Sequence, residues 1–132
     1  TENFNRIMKV KKKKKTTAEE KAARSAALQS ATLYATEVPL KTMKAAYECF
    51  DIVKAMAETG NPNSVSDAGV GALAARSAVL GAQLNVRINA AGLADRAAAE
   101  KLCAEAAEIA SAAVSAEADV MEIVNSVLSN TL

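Results

Sequence analysis

The 132-residue sequence contains no histidine. That absence removes the commonest general base, the usual Ser–His and Cys–His nucleophile pairs, and the commonest metal ligand together. Aromatic residues make up only 3% of the chain, and β-branched residues are scarce and do not alternate with polar ones, which argues against sheets. The two cysteines, Cys49 and Cys103, stand far apart in helical patterns and read as buried, reduced thiols of a cytoplasmic protein. No apolar run reaches membrane-spanning length and no signal-peptide pattern is present. A net charge of +1 gives the chain as a whole no attraction for nucleic acid. The first residue is Thr1 rather than Met, so a fragment or a processed product is expected.

What the chain does have is alanine. Hydrophobic residues are 51% of the total and alanine supplies much of them, a composition suited to closely packed helices. The expected fold is an all-α, antiparallel helical bundle, with residues 1–132 as a single helical domain. Residues 2–10 fit the tail of a helix. The run Lys11 to Lys15 reads as a solvated loop or frayed helix end, with a polyanion site as the sharper alternative. Thr17-Ala18-Glu19-Glu20 is a capping box that opens a long helix. Its pattern reaches Pro39, where a kink or short break near Glu37 is expected, and resumes at Met43, Ala46, Tyr47, Phe50, Val53 and Ala57. In the last helix, capped by Asp95, residues Leu102, Ala106, Ile109, Ala113, Ala116, Val120, Ile123 and Val127 alternate spacings of four and three, the mark of a packing seam.

The chain is organised around Gly60-Asn61-Pro62-Asn63-Ser64-Val65-Ser66-Asp67 and the helix that follows through to Asn89. Gly60 suits a left-handed helix end, and Pro62 forces the residue before it out of the helical region. Ser64 with Asp67 reads as a second capping box, with Ser66 as a rival cap. The helix is apolar enough to be buried on most of its surface, yet it carries Asp67 near its start and Asn85, Arg87 and Asn89 near its end. Asp67 is either a helix-start carboxylate that needs no ligand or a hydrogen-bond acceptor and general acid/base. Asn85 and Asn89, one turn apart, either clamp a heterocycle or satisfy the backbone of a neighbouring segment. Arg87 lies off their face, towards solvent, an acid of another chain or an anionic ligand tail. Gly69-Val70-Gly71-Ala72-Leu73-Ala74 fits a dinucleotide-binding pattern but lacks the preceding strand that pattern needs. Its glycines, with Gly81, read instead as places where another helix or a flat ligand comes close.

At these residues a resemblance enters. Gly60 to Val70, followed by Leu84-Asn85-Val86-Arg87-Ile88-Asn89, closely resembles the cyclodeaminase/cyclohydrolase family, and Thr17 to Arg24 and Ala35-Thr36-Glu37-Val38-Pro39-Leu40 also look like its pattern. That family comprises the cyclodeaminase domain of formiminotransferase-cyclodeaminase and the bacterial methenyltetrahydrofolate cyclohydrolases. The resemblance implies a helical bundle that forms a homodimer and acts on a one-carbon unit carried by tetrahydrofolate, polyglutamylated or not. Family members carry further helices upstream, with a Pro-Gly-Gly-Gly-Ser-like turn, so the chain is expected to be the C-terminal portion of such a domain. Under this reading Asp67 is the catalytic candidate. Asn61, Asn63, Ser66, Asn85, Arg87 and Asn89 are candidates for substrate binding, with no metal, membrane or nucleic-acid partner. The competing class is a non-catalytic helical interaction or scaffold protein, built on the seam from Leu102 to Val127. A basic-tail nucleic-acid module is third.

Overall fold

The structure, a computed structural model, describes residues 2–11 and 17–130, with side chains from Asn5 onward. Lys12 to Lys15 lie outside the described residues, as does the side chain of Phe4. Among the described residues there are four α-helices, α1 (Glu2–Lys11), α2 (Ala18–Thr59), α3 (Val65–Ala90) and α4 (Arg96–Ser129), with a 3-10 turn at Pro62–Ser64 and no strand. The protein is an all-α helical bundle.

The Thr17 capping box forms as expected: the Thr17 hydroxyl accepts from the Glu20 amide, and the Glu20 carboxylate accepts from the Thr17 amide, both at 3.1 Å. From there α2 runs for 42 residues and continues past Pro39 without a break. Proline at 39 removes the amide that would bond to the Ala35 carbonyl four residues back. The Asn89 side chain of α3 replaces it, its Nδ2 donating to the Ala35 carbonyl at 2.8 Å. A donor from another helix lets α2 continue where the isolated pattern argues for interruption.

Helix α2 ends at Gly60, but not in the left-handed conformation: φ is −76°. Glycine is needed there because a Cβ would run into the Met56 carbonyl oxygen. The helices α2, α3 and α4 then pack around one core holding Met43, Phe50, Val79, Val86, Ala106, Ala113 and Val120. Small residues set the spacing. A Cβ on Gly69 would press within 3.3 Å of Val124 on α4, and one on Gly71 within 3.4 Å of Val53 on α2. Such contacts let helix axes approach near the short end of the ~8–10 Å range.

The seam of α4 is buried where Ala106, Ala113 and Val120 fall, but its other row is Ala110, Glu117 and Val124, with Ile109, Ala116 and Ile123 only half-buried beside it. Glu117 is thus a carboxylate inside an apolar seam. Arg76 of α3 reaches it at 2.9 Å, which makes its burial tolerable. The turn into α4 is held by Gln29 of α2, which accepts from the Ala94 amide at 2.7 Å and donates to the Gly92 carbonyl at 3.3 Å. Asp95 caps α4 through the Ala98 amide, as its position suggests.

Two expectations of burial are corrected. Cys49 is exposed and Cys103 half-buried, both free thiols. Helix α3 is not buried on most of its surface: α2 and α4 cover two of its sides, while Val70, Leu73, Leu84 and Ile88 face outward. The apolar pattern that suggested full burial is real, but the described residues supply no third neighbour for it.

Candidate functional site

A groove of about 700 Å³ runs between α2 and α3, where the segments around Pro39 and around Asn85 meet. Ala35, Val38, Pro39 and Thr42 form its α2 wall. Ser77, Ala78, Gly81, Ala82, Asn85 and Asn89 form its α3 wall, and Ile7 of α1 closes one side. That volume lies within the ~300–1,000 Å³ of small-molecule sites. Small residues on α3 make the room: nothing lies within 4 Å of a Cβ placed on Gly81. Asn85 is exposed and turns its Nδ2 back to the Gly81 carbonyl at 3.3 Å, which leaves its amide oxygen open to the groove. Asn89 is half-buried, with its amide nitrogen committed to Ala35. Of its two sequence readings, this is the one in which it satisfies the backbone of a neighbour.

Helix α1 is placed over the groove by two contacts that sequence reasoning missed. Arg24 of α2 donates to the Val10 and Lys11 carbonyls at 3.2 and 2.8 Å, capping the end of α1. Arg6 lies over the Tyr34 ring, 5.5 Å from its centre. Arg24 falls inside the quoted Thr17-to-Arg24 segment, but only the fold shows which backbone it serves. Lys9 and Lys11 make the last turn of α1 basic, on the helix whose Ile7 lines the groove.

The other candidates sit elsewhere. Asp67 and Ser64 border a separate apolar recess of about 340 Å³ with Ile52, Val53, Met56 and Ala68. The expected capping box there does not form, because Ser64 makes no side-chain cap. Asp67 is exposed and makes no side-chain hydrogen bond or ion pair among the described residues. Asn61 accepts from the Asn63 amide at 3.0 Å and so shapes its own turn, while the side chains of Asn63 and Ser66 face solvent. Arg87 points to the α4 side, beside Arg96 and Glu100. Asp67 and Asn85 are 18 residues apart on one helix, which is five full turns and about 27 Å of rise. They project from the same side of α3 but cannot touch one small ligand atom together.

The groove therefore offers amides and hydroxyls but, among the residues that line it, no carboxylate and no cation. It can orient a polar heterocycle; it cannot by itself exchange a proton. Among the described residues no group of three or more His, Cys, Asp or Glu side chains could hold a metal ion. No described helix is long and apolar enough to cross a membrane.

The described residues thus form a helical bundle with a groove between α2 and α3 that carries two asparagines, Asn85 and Asn89. Residues 1–108 match the family described as formiminotransferase-cyclodeaminase, and the chain belongs to that family. It is 43% identical to a methenyltetrahydrofolate cyclohydrolase of Methylorubrum extorquens over 100 residues, 76% of this chain and 48% of that protein. It is 34% identical to a formimidoyltransferase-cyclodeaminase of Dictyostelium discoideum over 102 residues, 77% of this chain and 19% of that protein. The chain spans about half the length of the first of these relatives and a fifth of the second.

Proposed function

We propose that this protein acts on a one-carbon unit carried by tetrahydrofolate, in the cytoplasm and as a homodimer, with no metal. The observation that carries this reading is the meeting of two family segments in one groove: Ala35, Val38 and Pro39 on one wall, Asn85 and Asn89 on the other. Its family and the names of its relatives supply the substrate class; the more similar relative carries the cyclohydrolase name.

Both candidate reactions centre on the carbon joining N5 and N10 of the folate. In hydrolysis, water adds to the cationic methenyl carbon and a base takes one of its protons; the remaining hydroxyl proton passes to N5 as the bond to N5 breaks and the carbonyl forms, leaving 10-formyltetrahydrofolate. In deamination, N10 adds to the formimino carbon and ammonia leaves with a proton supplied to it. Each route needs neutral amides to fix the heterocycle and one carboxylate to exchange the proton. Asn85 fits the first task through its open amide oxygen, and Asn89 holds the groove wall in place. Asp67 is the candidate for the second. Asn61 and Asn63 shape the turn that presents it, and Ser66 stands beside it. Arg6, Lys9 and Lys11 of α1 would serve the anionic glutamate tail, and Lys12 to Lys15 extend that basic stretch in sequence, whereas Arg87, turned to the α4 side, lies away from that path.

An absorbance time course tests this directly. Supplied with 5,10-methenyltetrahydrofolate, a cyclohydrolase makes the methenyl chromophore disappear. Supplied with 5-formiminotetrahydrofolate, a cyclodeaminase makes it appear. No change with either folate would sink the proposal and return the scaffold reading to first place.

A further inference from the structure

Two walls of the groove stand on α2 and α3, helices that share the bundle core; the third does not. That third wall is Ile7 of α1, and among the described residues no buried core residue lies on α1. Of the apolar side chains of α1, Ile7 and Val10 are only half-buried and Met8 is 36% exposed. At ten residues α1 is also below the ~12–15 residues under which an isolated helix is marginal in water. Its place, and with it the third wall, depends on how α2 holds it.

The hold is concentrated at Arg24. Its guanidinium donates through Nε to the Val10 carbonyl at 3.2 Å and through Nη2 to the Lys11 carbonyl at 2.8 Å. These are two of the last four carbonyls of α1, which find no amide partner within the helix. A cation at that end also meets the negative pole of the helix dipole, and hydrogen bonds from a charged donor are roughly twice as strong as neutral ones. Both bonds leave one edge of a planar fork, so they fix the orientation of the last turn as well as its distance from α2. Arg6, next to Ile7, adds a second hold through its place over the Tyr34 ring.

We infer that Arg24 is a positioning residue of the groove: by clamping the last turn of α1 it sets where Ile7 stands, and through Ile7 it governs how tightly the groove holds its ligand. Arg24 does not itself line the groove, so it acts through α1 and not by contact. The inference takes its ligand class from the folate reading; the clamp rests on the hydrogen bonds alone. With the clamp released, the groove keeps its α2 and α3 walls, Asn85 and Asn89 included, and loses the third. Substrate is then held less tightly but, once bound, meets the same groups, so KM rises and kcat stays. No residue of α1 lines the recess beside Asp67, which the change leaves as it is.

Hydrogen exchange and steady-state kinetics on the full chain test this together. In Arg24→Ala the amides of α1 should lose protection, while those of α3 and α4 exchange as in the wild type. With whichever folate the wild type turns over, KM should rise about tenfold, and kcat should stay within about twofold. A residue that only supported the fold would instead speed exchange in α3 and α4 and lower kcat with the folded fraction. Ile7→Ala should raise KM with α1 still protected. Added to Arg24→Ala it should raise KM no further, because both changes remove the same wall. Unchanged exchange in α1, an unchanged KM in Arg24→Ala, or a double variant whose KM rise is the product of the two single rises overturns the inference. Loss of α1 protection in Arg24→Ala without turnover of either folate by the wild type leaves the clamp standing and removes the folate reading instead.

Discussion

The two ends of α3 carry the same kinds of side chain and put them to different uses. At the start, Asn61 bonds only within its own turn, Ser64 makes no side-chain cap, and Asp67 faces water without a partner among the described residues. At the end, Asn89 reaches across to α2, to a backbone position 54 residues away, and is half-buried there. The difference follows from what each end packs against. Pro39 leaves a carbonyl that would otherwise sit unsatisfied against α3, and an unmade buried hydrogen bond costs about 1–3 kcal/mol. The Asp67 end has no such demand next to it. Its polar groups are left exposed, whereas Asn89 is held by structure.

This contrast can be broken or sharpened by mutation. The largest effect is expected from Asp67→Asn: turnover of the preferred folate should fall by at least about 100-fold, with unfolding free energy unchanged within about 0.5 kcal/mol. A wild-type rate would remove Asp67 from the chemistry, and a marked loss of stability would make it a structural residue after all. Next comes Asn89→Ala, which strips the Ala35 carbonyl of its donor and should cost about 1–3 kcal/mol in denaturant unfolding. Pro39→Ala sharpens the point by returning an amide to α2. In that background Asn89→Ala should cost less, with a coupling of about 1 kcal/mol in the double-mutant cycle; strict additivity would mean that Asn89 serves something other than the proline gap. Smallest is Asn61→Ala, which loses an exposed turn contact and should cost no more than about 1 kcal/mol. Should it match Asn89→Ala, the two ends do not differ in the way described.

Much of the fold was legible from local rules. The Thr17–Glu20 box and the Asp95 cap form where their spacing places them, because a helix start needs only its own first turn to be satisfied. The alanine seam of α4 was legible for the same reason, although its buried face is rotated to take in Glu117. That rotation could not be read from α4 alone, since it depends on Arg76 of α3 lying opposite. Pro39 shows the same limit. Proline argues locally for interruption, and the helix continues because Asn89, fifty residues on, supplies the missing donor.

The site divides along the same line. The sequence by itself determined that the fold is helical, which residues are polar within an apolar helix, and that no histidine chemistry is available, because these follow from residue type and short-range periodicity. It also determined that Asp67 and Asn85 share one side of α3, since 18 residues is a whole number of turns. Only the tertiary structure decided that Asn85 and Asn89 meet Pro39 in a groove, that Asp67 stands outside it, and that the α3 face between them is left uncovered by the described residues. Those facts depend on which helices lie beside α3 and how closely glycine and alanine let them come, and packing of that kind is a property of pairs of segments rather than of any one of them.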